Sequence, residues 1–146
     1  MIFWKVSLAS AVIIAGLTGA ASASSSPWID VQGGRVRLVT SGGPNQHGIL
    51  SGALEIDLAP GWKTYWRDPG DAGVPPTIDV SASANIKSAE LDFPAPERHD
   101  EGDFSWAGYD RPVSLPVRFS LGLIASTNHA TVSARANFVT SAIPGR

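Results

Sequence analysis

The sequence predicts an all-β protein built as an antiparallel β-sandwich. In several short segments apolar and polar residues alternate with a period of two, which is typical of strands with one buried face. Turns rich in the chain's 15 glycines and 11 prolines separate these segments. No stretch after residue 23 has a helical period. About seven short strands joined by such turns favour a sandwich, with a small barrel as the alternative.

The first 23 residues have the pattern of a secretory signal peptide. Lys5 provides a short positive region, residues 6–20 are mostly apolar and contain no acid, and Ala21-Ser22-Ala23 is a small-x-small cleavage site. The apolar run is shorter than the roughly 20 residues of a membrane span, which disfavours an uncleaved anchor. We therefore predict a signal peptide over 1–23, cleavage before Ser24, a periplasmic location and no membrane span after cleavage.

Residues 24–146 are predicted to form a single domain. The formal net charge of the chain is −2 and no run of Lys or Arg is present, which argues against a nucleic-acid partner and against a charged membrane surface. The chain has no cysteine. Thiol chemistry and disulfides are therefore excluded for these residues, although the predicted compartment permits disulfides.

Turn residues separate the predicted strands from one another. Residues 42–45 join the first two strands, and a turn at 126–129 is expected to make a hairpin of the last two. Pro116 cannot donate to a sheet ladder, so its strand is expected at an edge or with a bulge there. The chain stops soon after a strand, which leaves a domain that ends there and a truncated domain as alternatives. The predicted strands are 35–38, 50–58, 78–80, 89–93, 113–123 and 130–138.

Residues 61–76 are the most distinctive segment. They combine three aromatic residues, two aspartates and several Gly and Pro without any regular period, so we predict a structured loop. Trp62, Tyr65 and Trp66 have two interpretations. They form an exposed platform for a sugar ring or a partner, or they cover the open end of the sandwich.

The charged residues near this segment favour structural roles. Asp68 and Asp71 are spaced as in a turn, although a pair of carboxylates also suits acid–base catalysis. Arg67 is expected to pair with one of them. The acidic segment 99–103, with His99, could hold Cu²⁺ or Ca²⁺, but a solvated loop is favoured. No Gly-x-Ser-x-Gly elbow supports a catalytic triad, and no metal or cofactor is predicted.

The segment 61–76 resembles the N-terminal periplasmic domain of the thiol–disulfide interchange protein DsbD. It is most similar to the branch associated with suppression of copper sensitivity and to stand-alone relatives of that domain. Three further pieces match in the same order, and the specific resemblance covers residues 61 to about 119. These pieces are Leu-Asp-Phe-Pro-Ala-Pro-Glu-Arg at 91–98, Gly-Tyr-Asp at 108–110 and Val-Ser-Leu-Pro-Val at 113–117.

The resemblance implies an immunoglobulin-like sandwich that relays reducing equivalents from a membrane partner. The receiving proteins in that family include disulfide isomerases, cytochrome c maturation factors and copper-tolerance proteins. The implied partner is a periplasmic or membrane thiol–disulfide protein. The residues implied to form the contact or cap surface are Trp62, Tyr65, Trp66, Arg67, Asp68, Asp71 and Tyr109.

The chain departs from the family at the residues that carry the chemistry. The family has two cysteines, four apart, before an Ile/Val-Pro. Here Ile143-Pro144 is preceded by Phe138 and Ala142 at those positions, or by Thr140 or Ser141 if the alignment is gapped. A hydroxyl cannot replace the thiolate that attacks a disulfide. No catalytic residue is predicted, and enzyme activity is not expected.

The main hypothesis is therefore a partner-docking module or a truncated copy of a relay domain. Two alternatives remain. One is a carbohydrate- or peptide-binding sandwich that uses the aromatic residues of 61–76. The other is a hydrolase or metal-binding protein that uses Asp68, Asp71 and His99.

Overall fold

The all-β prediction is confirmed. The computed structural model describes residues 2–8, 23–71, 73–122, 130–138 and 140–143. Within these ranges all regular structure is β, and no helix is long and apolar enough to cross a membrane. The strands are β1 Ile2–Leu8, β2 Ser24–Ser25, β3 Ile29–Val31, β4 Gly34–Thr40, β5 Ile49–Leu58, β6 Trp62–Gly70, β7 Thr77–Asp79, β8 Ile86–Leu91, β9 Glu97–Glu101, β10 Phe104–Tyr109, β11 Val113–Leu121, β12 Ala130–Asn137 and β13 Thr140–Ala142.

A six-stranded sheet supplies most of the core. Its order is β2-β4-β5-β11-β8, with β3 also paired to β4. β4 and β5 are antiparallel neighbours, with Val36 opposite Ile56 and Leu38 opposite Leu54, and all four side chains are buried. The alternation in these strands is what buries one face of the sheet. The predicted pairing through residues 42–45 is therefore confirmed.

Two smaller sheets complete the fold. One has the order β13-β6-β10-β9 and the other the order β1-β12-β7, and all pairings are antiparallel. Buried residues of β12, together with Tyr109 of β10, join those of the six-stranded sheet in one hydrophobic cluster. The apolar faces of different sheets thus share one core, as a sandwich requires.

The predicted hairpin of the last two long strands is wrong. β11 pairs with β5 and β8, whereas β12 pairs with β1 and β7 in a different sheet. Both strands are amphipathic, and period-two alternation marks a buried face without saying which sheet a strand joins. The turn expected at 126–129 lies outside the described residues.

The expectation for Pro116 is also wrong, because β11 is an interior strand and its register with β5 runs unbroken through Pro116. The pairing of β11 with β8 begins only at Val117, and the Pro116 carbonyl accepts the Asp92 N–H at 2.8 Å just beyond the end of β8. In a strand the nitrogen and the carbonyl of one residue point to the same side, so the Pro116 nitrogen also faces β8. The regular β8–β11 pairing has ended there, so the proline interrupts no ladder hydrogen bond. The one irregularity in this pairing lies at Ser120 and Leu121.

β1 lies inside the segment predicted to be a signal peptide. Its residues pair antiparallel with β12, from Ile2 opposite Ala136 to Leu8 opposite Ala130. Residues 9–22 lie outside the described residues. The signal peptide, the cleavage before Ser24 and the domain bounds 24–146 stay predictions.

Candidate functional site

The segment predicted to be a loop begins as a strand. β6 occupies Trp62–Gly70, between β13 and β10. Three consecutive residues, Lys63, Thr64 and Tyr65, are all buried because both faces of the strand are covered. A strand that is covered on both faces shows no alternation of apolar and polar residues, so its sequence pattern predicts a loop. Its aromatic residues and threonine are good strand formers.

A large bulge follows in the second half of β6. Tyr65 pairs with Gly108 and Gly70 pairs with Trp106, so residues 66–69 lie opposite the single residue Ala107. Gly70 has φ +89°, and a Cβ there would lie 2.7 Å from the Ser105 carbonyl oxygen. The predicted turn at 68–71 is thus present as a bulge that returns to the sheet at glycine.

Asp71 fastens the segment after β6 to the neighbouring strand. Its Oδ2 accepts the Ser105 backbone N–H at 2.8 Å and the Ser105 hydroxyl at 3.1 Å. These two bonds, the backbone one first, lower the pKa of Asp71 against a small opposing effect of burial. The Asp71 N–H also donates to the Ser105 carbonyl at 3.0 Å. Asp71 therefore orders this segment, in keeping with the structural role favoured for it.

The aromatic residues of β6 do not share one exposed face. Tyr65 is 6% exposed, and its hydroxyl lies 3.1 Å from Ser141 Oγ. Trp62 and Trp66 are half-buried against the core. The sequence predicts that Arg67 pairs with Asp68 or Asp71. In the structure the Arg67 guanidinium instead lies 4.8 Å from the centre of the Trp66 ring. Tyr65 is buried and both tryptophans are half-buried, so the three rings pack inward and do not together form an exposed platform.

Tyr109 is likewise buried, with 6% of its surface exposed, and donates its hydroxyl to the Pro94 carbonyl at 2.8 Å. Burial raises its pKa to about 12. The side chains of Tyr65 and Tyr109 thus face inward, and the contact surface implied by the resemblance stays a prediction. Arg67, Asp68 and Asp71 are the exposed members of that set.

Two residues that sequence reasoning missed lie beside these exposed residues. Phe104 is 63% exposed and Val74 is 54% exposed, and they are the exposed large hydrophobic residues of the described ranges. Phe104 starts β10, next to the Ser105 that Asp71 holds, and Val74 follows Asp71 by three residues. We call five exposed residues, which lie on β6, on the segment after it and at the start of β10, the hairpin end. They are Arg67, Asp68, Asp71, Val74 and Phe104.

A polar cluster surrounds Trp106 in the same sheet. The Trp106 Nε1–H donates to Glu101 at 2.9 Å, and the Lys63 Nζ lies 4.1 Å from the centre of the indole ring. His99 stacks on this ring with 4.3 Å between ring centres. Lys63 is buried and 3.5 Å from the Glu101 carboxylate. The bond from Trp106 and, against burial, the charge of Lys63 lower the pKa of Glu101.

The acidic segment 99–103 is therefore not a loop throughout. His99 to Glu101 belong to β9, and only Gly102 and Asp103 form the tip of the β9–β10 hairpin. The prediction of a solvated loop is corrected at His99 and Glu101, which both contact Trp106. A run of charged residues does not show which strand it pairs with, so the pairing of this segment with β10 could not be predicted from the sequence.

The positions expected from the sequence to correspond to the family cysteines lie at or near β13. Thr140 pairs with Thr64, Ser141 with Lys63 and Ala142 with Trp62, at the edge of the four-stranded sheet. The Thr140 hydroxyl donates to the Gln32 carbonyl at 2.6 Å, and the Ser141 hydroxyl contacts Tyr65. These hydroxyls have structural partners, and Phe138 packs partly against the core.

Comparison with known families identifies the family of this domain. Residues 39–140 match the model of the family described as thiol:disulfide interchange protein DsbD, N-terminal. The chain belongs to this family. The match begins at the end of β4 and covers β5 to β12, including β6 with its bulge and the β9–β10 hairpin.

A solved structure agrees with this assignment. The crystal structure of the N-terminal periplasmic domain of ScsB from Proteus mirabilis is 26% identical and superimposes with a TM-score of 0.58. The match covers 82% of this chain and 49% of that one, so the chain spans about half the length of that structure. A search of curated proteins found no match. The resemblance and the DsbD-type fold expected from the sequence are both confirmed.

Proposed function

We propose that this chain is a periplasmic docking domain that binds a thiol–disulfide protein without exchanging thiols itself. The observation that carries the proposal is a match to the DsbD N-terminal family over residues 39–140 in a sequence that has no cysteine. The signal-peptide pattern of residues 1–23 and the periplasmic ScsB domain support the location.

Binding without redox chemistry follows from the residues at β13. Disulfide exchange needs a thiolate nucleophile, and a serine or threonine hydroxyl does not attack a disulfide sulfur. Thr140 and Ser141 are also hydrogen-bonded to Gln32 and Tyr65. Any contribution of these residues to a relay is therefore limited to holding a partner.

The hairpin end is the surface that best suits such a partner. Phe104 and Val74 offer exposed apolar area, and Arg67 and Asp68 are exposed on the bulge of β6, which pairs with β10. An apolar centre with a charged rim is typical of protein interfaces. The hydrogen bonds from Ser105 to Asp71 order the surface before it binds, which lowers the entropy lost on association.

Membership of the family also narrows the classes of partner protein to expect. We infer that the bound protein belongs to disulfide isomerisation, cytochrome c maturation or copper tolerance, the processes served by DsbD-type relays. Its interaction with this chain is noncovalent, because no mixed disulfide can form with a chain that lacks cysteine.

Affinity capture from a periplasmic extract tests the proposal. The tagged chain should retain a thiol–disulfide or cytochrome-maturation protein, identified by mass spectrometry, equally well with and without dithiothreitol. Phe104→Ser should lose it, whereas Lys87→Ala, at an exposed position of β8 in the other sheet, should keep it. Recovery of no such protein, or equal recovery by Phe104→Ser, would overturn the proposal.

A further inference from the structure

We propose that Glu97, His99 and Asp110 form a binding site for a divalent transition-metal ion, with Zn²⁺ as the best fit. Each residue offers one ligand atom, and these atoms all lie within 4.8 Å of one another. One imidazole nitrogen and two carboxylate oxygens form a donor set that Zn²⁺ accepts readily. The metal ligands weighed from the sequence were the segment 99–103 and the set Asp68, Asp71 and His99, and neither brings Glu97 and Asp110 together with His99.

The fold brings the three residues together from two strands. Glu97 and His99 are two apart in β9, so their side chains point to the same face of the sheet. Glu97 lies opposite Gly108 of β10, and Asp110 follows β10 directly. The carboxylate of Asp110 therefore reaches the pair from the end of the neighbouring strand.

The His99 imidazole carries the strongest sign of a missing ligand. Its Nε2 atom is buried and has no hydrogen-bond partner. The nearest acceptor group, Glu97 Oε2, is 3.4 Å away, which is longer than an ordinary hydrogen bond. A buried nitrogen left without a partner is unfavourable unless something else satisfies it.

A metal ion between these two atoms would account for their distance. Ligands that lie about 2.0–2.2 Å from Zn²⁺ in a tetrahedral arrangement are roughly 3.3–3.5 Å apart. The observed 3.4 Å falls in that range. Stacking on Trp106, with 16° between the ring planes, fixes the direction of the imidazole. A ligand that is oriented in advance loses less entropy when it binds.

Arg111 already contacts both carboxylates, which sets a limit on the affinity. Its Nη2 lies 2.7 Å from Glu97 Oε1, and its Nε lies 3.5 Å from Asp110 Oδ1. The arginine thus uses the Glu97 oxygen that does not face His99. The Arg111 side chain is exposed and able to turn to solvent, whereas the Asp110 side chain is only 7% exposed and stays in place.

The two carboxylates, but not His99, border an open cavity. Glu97 and Asp110 line a cavity of about 190 Å³ together with Tyr109 and Arg111. This leaves room for water, since one water molecule occupies roughly 30 Å³ in the liquid. Three protein ligands with an open fourth position are typical of zinc sites that bind water or a further ligand.

Calorimetry with Zn²⁺ on the full purified chain tests the site. We expect one ion per chain, and at least tenfold weaker binding for His99→Ala and for Glu97→Gln, since loss of even an outer-sphere partner weakens metal sites 10- to 100-fold. His47→Ala removes an exposed histidine of a distant turn and should leave binding unchanged. Arg111→Ala should tighten binding, because it removes a competing positive charge.

Cobalt provides a readout that depends on the geometry. Co²⁺ bound at His99 should quench the fluorescence of the stacked Trp106, and the quenching should disappear in His99→Ala. Absence of binding to the wild type, or equal binding or quenching in His99→Ala, would overturn the proposal. Phe104→Ser should keep the full metal affinity, so a failure of the metal site is distinguishable from a failure of the docking function.

Discussion

The inner face of the six-stranded sheet and the part of the four-stranded sheet formed by β6, β9 and β10 bury different kinds of side chain. In β4 and β5 most buried positions alternate along the strand and are apolar, as with Val36, Leu38 and Leu54. In β6 and β10 the buried positions include Lys63 and Trp106, which are held by partners on other strands. The buried side chains of the first region are mostly apolar, whereas Lys63 and Trp106 in the second region bury polar groups that have partners on another strand.

This difference explains what each region can do. The inner face of the first region packs into the hydrophobic core and stabilises the fold. The second region keeps ionised groups, a bulge and exposed apolar residues close together, held by contacts such as those from Ser105 to Asp71. Both proposed activities, docking and metal binding, lie in this second region.

The largest effect should come from truncating a core phenylalanine. Phe119 is fully buried, and Phe119→Ala should lower the free energy of unfolding by about 3–5 kcal/mol through lost burial and a cavity. Phe104→Ala removes the same atoms at an exposed position and should change it by less than about 0.5 kcal/mol. Urea denaturation measures both. Similar losses at the two positions would contradict the contrast drawn between the regions.

The bulge offers a second test. Gly70→Ala introduces a Cβ at φ +89° and 2.7 Å from the Ser105 carbonyl oxygen, so we expect a loss of about 1–3 kcal/mol. Gly43→Ala, at a glycine with no heavy atom within 4 Å of an added Cβ, is the matched control and should be close to neutral. A tolerant Gly70 in thermal melts would show that the bulge does not constrain β6.

The buried lysine should show how far polar partners stabilise the second region. Lys63→Ala removes the contact with the Trp106 ring and the pairing with Glu101, and we expect a loss of about 1–2 kcal/mol. Lys87→Ala, on the exposed face of β8, should have almost no effect. Equal midpoints in denaturant for the two variants would mean that the cluster around Trp106 adds nothing to stability.

The smallest expected effect depends on pH. Hydrogen bonds from Ser105 hold the pKa of Asp71 below its ordinary value of 3.8, so ionised Asp71 stabilises the fold at neutral pH. This stabilisation begins to fall near pH 3.8 and is lost as the pH drops through the lower folded-state pKa. The difference in melting temperature between wild type and Asp71→Ala should therefore shrink as the pH falls below about 3.8. A difference that stays constant from pH 7 to pH 2 would contradict this assignment, with Asp68→Ala as the control.

The six-stranded sheet could be predicted from the sequence better than the four-stranded sheet. Alternation predicted β4, β5 and β11, because the burial of one face is visible in each strand separately. It did not reveal that β11 and β12 lie in different sheets, since alternation marks a face and not a partner. The family resemblance supplied the sandwich type, which periodicity alone left beside a barrel.

The candidate sites were harder to foresee for a physical reason. β6 shows no alternation because both its faces are covered, so it was expected to be a loop. Glu97 and Asp110 are 13 positions apart and meet only through the register of β9 and β10. Phe104 differs from a core phenylalanine only in its surroundings, which the sequence does not show.

Site-specific photo-crosslinking tests the central claim, docking through the hairpin end, most directly. A photo-reactive phenylalanine analogue placed at position 104 should crosslink a thiol–disulfide protein in periplasm, with or without reductant. The same analogue at Ser51, an exposed position of β5 in the other sheet, should give no such product. Absence of a thiol–disulfide protein at position 104, or the same product from both positions, would contradict the account.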